Sequence, residues 1–104
     1  MKTFKTISAT DAHSLLTQPR TQIIDIRDEF SFDEGHIERA QRVDNSNAGE
    51  FIARADKAAP LIVCCYHGIS SQSAAQFFTD QGFEEVYSLN GGFEDWKLSF
   101  PSTR

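Results

Sequence analysis

Along the chain, short apolar blocks alternate with segments whose apolar positions recur at helical spacing. Lys5-Thr6-Ile7 reads as a brief strand, and Ser8-Ala9-Thr10-Asp11 supplies cap residues for a helix that runs through Leu15-Leu16 and ends near Pro19. Gln22-Ile23-Ile24-Asp25 is strand-like and largely apolar. Asp28 then caps a short helix carrying Phe30 and Phe32, with Gly35 as its stop. Arg42-Val43 forms another brief strand, and Asn45-Ser46-Asn47 introduces a helix containing Phe51 and Ile52. The unbroken run Leu61-Ile62-Val63-Cys64 predicts a buried strand, followed after a loop by the helical segment Gln72-Ser73-Ala74-Ala75-Gln76-Phe77-Phe78. Gly82 breaks the chain before a fifth strand, Glu85-Val86-Tyr87-Ser88-Leu89, rich in β-branched and aromatic residues. Asn90-Gly91-Gly92 turns into a last helix with Phe93 and Trp96. Strands alternating with helices predict an α/β fold with a mainly parallel sheet, in which ligands collect outside the carboxyl ends of the strands. Cys65 lies at such an end, and Asp25 and Asn90 are expected at the same rim.

Composition narrows the function classes. With 104 residues, 39% of them hydrophobic and nine of them Phe, the chain has enough apolar surface for one core, and one domain over residues 1–104 is expected. The net charge of -5 and the lack of a Lys/Arg cluster exclude a nucleic-acid surface, so an anion site has to draw on local backbone dipoles. Met1-Lys2-Thr3-Phe4-Lys5-Thr6-Ile7 lacks a secretory apolar stretch, and no apolar run reaches membrane-spanning length, which predicts a cytoplasmic protein. Cys64 and Cys65 are neighbours, a spacing that strains a disulfide, and they read as free thiols in a reducing compartment. No metal or cofactor is expected. The grouping of Cys64, Cys65 and His67 lacks zinc-ligand spacing, and no glycine-rich nucleotide loop occurs.

The chemistry centres on Cys65, placed between the apolar strand and the loop Tyr66-His67-Gly68-Ile69-Ser70-Ser71 that leads into a helix. The first N–H groups of a helix have no intrahelical partner and carry about half a positive charge. They favour thiolate over thiol and can hold an anionic substrate or intermediate, so Cys65 is the candidate nucleophile. Cys64 belongs to the apolar strand and reads as packing. Gly68, Ser70 and Ser71 shape the loop through glycine's backbone freedom and the serine hydroxyls. His67 is either a base or positive charge for an anionic substrate, or a solvated loop residue. His13 reads as a surface residue, His36 as a turn fastened by its ring, and Asp25 with Arg27 as an internal ion pair.

Three stretches, Asp25-Ile26-Arg27-Asp28 through Gly35-His36-Ile37 and Ala40, the loop Cys65 to Ser71, and Tyr87-Ser88-Leu89-Asn90-Gly91-Gly92-Phe93-Glu94-Asp95-Trp96, together resemble a rhodanese domain. The loop and the short length look most like single-domain thiosulfate sulfurtransferases of the bacterial glycerol-3-phosphate regulon type. The resemblance implies a five-stranded parallel sheet with helices on both faces, no cofactor, and sulfur transfer through a persulfide on Cys65. Thiosulfate would be the donor, and cyanide, a dithiol or a thioredoxin-like protein the acceptor. Loop amides from Tyr66 to Ser70 would stabilise the persulfide. The single-domain sulfurtransferases that the loop resembles have a polar residue where Ile69 stands, so a side-chain hydrogen bond available to them near the sulfur is not expected here, while main-chain donors remain. Two other readings fit the residues less well. A cysteine phosphatase or arsenate reductase needs an arginine closing the loop, where Ser70 and Ser71 stand. A persulfide carrier docking to a partner protein shares Cys65 and differs in its physiological acceptor.

Overall fold

The computed structural model describes residues 2–104. Strand-helix alternation holds along the whole chain: β1 (Lys5–Ile7), α1 (Ala9–Leu15), β2 (Gln22–Asp25), α2 (Glu29–Glu34), β3 (Gln41–Arg42), α3 (Ala48–Arg54), β4 (Leu61–Cys64), α4 (Ser70–Asp80), β5 (Val86–Leu89) and α5 (Gly92–Ser99). The first helix is shorter than its polar pattern predicts, ending at Leu15 rather than near Pro19. The helix after the cysteine loop is longer, starting at Ser70.

The five strands form one sheet in the order β1-β5-β4-β2-β3, and every pairing is parallel. Parallel strands deliver all their carboxyl ends to one rim, and β4, in the middle, delivers Cys65 there. Side chains alternate across the sheet, which divides the core in two. Ile23, Ile62, Cys64 and Leu89 pack with Ala9, Ala12, Phe93 and Trp96, placing α1 and α5 on one face. Ile24, Leu61, Val63 and Val86 pack with Phe51, Ala75 and Phe78, placing α3 and α4 on the other. The Phe51, Phe78 and Phe83 rings meet at centroid distances of 5.8 to 5.9 Å, each such pair adding about 0.5–1.5 kcal/mol beyond its buried area. Burial on both faces explains why β4 reads as an uninterrupted apolar run.

Asp25 is buried at the end of β2 and bound by Arg27 at 2.7 Å, the same guanidinium reaching the Gly35 carbonyl at 2.8 Å. Asp25 thus closes β2 at the same rim as Cys65, as expected, with its carboxylate spent on Arg27. The Arg27 guanidinium also stacks 4.2 Å from the Phe93 ring centroid, tying the turn after β2 to α5. His36 bonds the Phe32 carbonyl through Nδ1 at 2.7 Å and stacks on its ring, fastening the turn as its sequence position suggests. His13 is exposed, with its ring stacked on Phe100.

Candidate active site

Each of the five helices follows the carboxyl end of a strand, and three of them, α2, α4 and α5, dispose of their free N–H groups differently around Cys65. In α2 the Asp28 side chain caps the helix by accepting from the Ser31 N–H at 3.0 Å. In α5 the Phe93 and Glu94 N–H groups donate to the carbonyls of Cys65 and Tyr66, at 2.8 and 3.1 Å. Helix α4 has no side-chain cap, its preceding residue being Ile69. Its Ser71 N–H points at the Cys65 sulfur, 3.3 Å away, and the Gly68 N–H joins it at 3.1 Å. The Cys65 thiol in turn donates to Ser71 Oγ at 3.2 Å.

Glycine makes this geometry sterically accessible. Gly68 holds φ +84° with its backbone against the β5–α5 turn, where an added Cβ would lie 2.8 Å from the Gly91 nitrogen. Gly92, at φ +60°, lets α5 start in direct contact with the loop, since a Cβ there would fall 2.5 Å from the Cys65 oxygen. With the Cys65 and Tyr66 carbonyls turned out toward α5, the loop's later amides turn in toward the sulfur.

The loop residues named from the sequence thus divide into distinct roles. Cys65 is 3% exposed and forms the floor of the cradle, while Ser71 is fully buried beside it. The amides that reach the sulfur belong to Gly68 and Ser71, so the cradle extends one residue beyond the expected stretch. Tyr66 is 38% exposed, and its hydroxyl is held by Asp28 and by Ser31 at 2.8 Å. His67 and Ser70 are exposed at the mouth, and Ile69, 75% exposed, places an apolar side chain on the rim. Beside Ser70, a groove of about 760 Å³ runs between α3 and α4, lined by Val43, Ile52, Ala74 and Phe77.

Cys64 contrasts with its neighbour. Burial, reinforced by the Asp25 charge, pushes its thiol well above the ordinary range, so the side chain stays neutral and inert. Its sulfur donates to the Cys65 carbonyl, at 3.5 Å.

Two contributors to the site escaped the sequence reading. Ser88, in β5, places its Oγ 2.7 Å from Ser71 Oγ; the available signal was a serine inside an otherwise apolar strand. Asp28 was legible as a helix cap but not as the acceptor for Tyr66, which lies 38 positions away.

A rhodanese-like domain pattern matches residues 8–99. A protein named thiosulfate sulfurtransferase GlpE from Pseudomonas aeruginosa (strain LESB58) is 50% identical over 100 residues, covering 96% of this chain and 90% of that protein. Its namesake from Shewanella oneidensis is 49% identical over 96 residues, covering 92% and 95% of the two chains. Among solved structures, a rhodanese-related protein from Thermoplasma volcanium superposes with a TM-score of 0.81 at 23% identity, covering 96% of this chain and 98% of that one. A thiosulfate sulfurtransferase from Pseudomonas aeruginosa gives a TM-score of 0.87 at 22% identity, with this chain spanning 19% of its length; both likenesses bear on the fold alone. With the domain pattern covering most of its length and full-length relatives at half identity, this chain belongs to the rhodanese-like family.

Proposed function

We propose that the protein is a thiosulfate sulfurtransferase whose nucleophile is Cys65. The observation that carries this reading is the convergence of the Gly68 and Ser71 N–H groups on Cys65 Sγ, at 3.1 and 3.3 Å, at a helix start left without a cap. Donors fixed before the reaction stabilise charge on sulfur without reorganising, and in many enzymes such stabilisation outweighs every other contribution to the rate. A protein of net charge -5 repels a dianion at long range, so these local donors also supply the attraction that holds thiosulfate at the site.

In the first half-reaction the Cys65 thiolate attacks the outer sulfur of thiosulfate. A sulfur-sulfur bond forms to Cys65, and the one within thiosulfate breaks, its electron pair leaving on sulfite. In the second, cyanide or a thiolate attacks the outer sulfur of the persulfide, and the electron pair of the broken bond returns to Cys65. No net oxidant or cofactor is needed. With Cys65 only 3% exposed, attack favours a slim sulfur presented end-on. Tyr66, His67, Ile69 and Ser70 line the approach, His67 contributing positive charge when protonated. The whole of residues 1–104 acts as one domain, and two reduced cysteines suit the cytoplasm. No helix is long and apolar enough to cross a membrane among the described residues.

The test is thiocyanate formation from thiosulfate and cyanide by wild type, Cys65→Ser and Cys64→Ala. Wild type and Cys64→Ala turn over within about threefold of each other, consistent with an inert buried thiol, and Cys65→Ser is inactive. Mass spectrometry after thiosulfate alone finds one added sulfur atom on the Cys65 peptide. Turnover surviving in Cys65→Ser removes the nucleophile from this assignment.

A further inference from the structure

Ser88 stands outside the loop, in the middle of an apolar strand and 1% exposed. Its hydroxyl lies 2.7 Å from Ser71 Oγ, its only side-chain hydrogen-bond partner among the described residues. Ser71 Oγ is in turn 3.2 Å from Cys65 Sγ. The three side chains form an unbranched row that starts at the reacting sulfur and ends at a buried hydroxyl with no acceptor beyond it.

Counting hydrogens along this row distinguishes its two charge states. When Cys65 is a thiol, S–H donates to Ser71 Oγ and the Ser71 hydroxyl donates to Ser88 Oγ. One hydrogen of the row is then left without an acceptor among the described residues, that of Ser88 in this direction or the S–H itself if both hydroxyls point toward the sulfur, and an unpartnered donor is costly. When Cys65 is an anion the direction reverses: Ser88 donates to Ser71 Oγ and Ser71 donates to Sγ. Every hydrogen now has an acceptor, and the bond to sulfur becomes a charge-assisted one of the stronger kind. The Gly68 and Ser71 amides, which donate to the sulfur, act in the same sense.

We propose that Ser88 is a positioning residue that acts through Ser71 to favour the anionic form of the Cys65 sulfur. This rests on Cys65 being the nucleophile. The row raises the share of reactive thiolate in the first half-reaction and stabilises the departing thiolate in the second. It contributes less to the persulfide itself, whose charge sits on the outer sulfur.

The experiment is the pH profile of iodoacetamide alkylation at Cys65, read by mass spectrometry of the Cys65 peptide from full-length protein, with thermal unfolding of each variant alongside. Ser88→Ala moves the midpoint of the profile upward, and Ser71→Ala moves it further, as loss of hydrogen bonds to the charged form requires. Adding Ser88→Ala to Ser71→Ala produces no additional shift, because Ser88 reaches the sulfur only through Ser71. Ser88→Thr keeps the hydroxyl and restores the wild-type profile even if its extra methyl lowers the unfolding temperature. A Ser88→Ala profile that superimposes on wild type overturns the proposal. So does an additive shift in the double variant, or a displaced profile in folded Ser88→Thr, which assigns the effect to packing. Alkylation reports the sulfur directly, so it tests the row even if Cys65→Ser retains sulfur transfer and the nucleophile assignment itself fails.

Discussion

Helices α4 and α5 begin at the same rim, after neighbouring strands, and both lack a side-chain cap. Helix α5 satisfies its first N–H groups with main-chain carbonyls, those of Cys65 and Tyr66. Helix α4 aims its Ser71 N–H at a sulfur instead. The donor groups are chemically identical, and the difference lies in what accepts. A carbonyl is a permanent partner, so α5 uses its N-terminus to build. In the proposed reaction the Cys65 sulfur gains and loses charge, so the same donors at α4 become worth more when the atom is negative. The two uses depend on each other: by holding the Cys65 and Tyr66 carbonyls outward, α5 leaves the following amides turned inward.

The largest expected effect comes from breaking the building end. Gly92→Ala puts a Cβ 2.5 Å from the Cys65 oxygen at φ +60°, so α5 and the loop have to separate. We expect a loss of about 2–4 kcal/mol in thermal or denaturant unfolding, the range for a strained backbone substitution, with sulfur transfer nearly abolished. Wild-type stability and activity in this variant would show that α5 does not shape the cradle.

A smaller effect follows from loosening the loop on its other side, where the Tyr66 hydroxyl is held by Asp28 and Ser31. Tyr66→Phe keeps the ring and the α2 cap but removes this strap, and a few-fold fall in kcat/KM for thiosulfate with little change in unfolding is expected. Hydrogen bonds from the Ser31 backbone and hydroxyl hold the Asp28 carboxyl below its ordinary value of 3.8. The interaction is therefore complete above that pH and weakens as pH falls through the depressed value. If Tyr66→Phe retains full activity at neutral pH, the α5 contacts alone suffice to position the loop.

The smallest change concerns the exposed start of α4. Ile69→Lys adds a cation on the rim without touching the amides, and the KM for thiosulfate drops by about twofold at low salt, an advantage that disappears near 1 M salt as charges become screened. A KM that ignores both the lysine and the salt would place the donor's path away from Ile69.

Particular residues show how far the sequence could be read. Leu61–Cys64 was legible as a buried strand because both its faces are covered, and the loop after it stood out because a thiol precedes a helix start. Cys64 and Cys65 could be told apart from position alone, one closing the apolar run and the other opening the polar loop. Asp25 and Arg27, two positions apart, were legible as a pair for the same local reason. Ser88 and Tyr66 were not legible in their full roles, since the partners of each come from other elements.

Periodicity, capping residues and glycine positions act over a few neighbouring residues, and so the chain alone determined the order of strands and helices and which thiol stands before a helix. Which amides meet that sulfur, and which hydroxyls stand behind it, was decided only when β4 and β5 paired and α5 docked against the loop. Those contacts join residues far apart in the chain, and their angstrom-scale distances depend on packing between layers that no local pattern encodes.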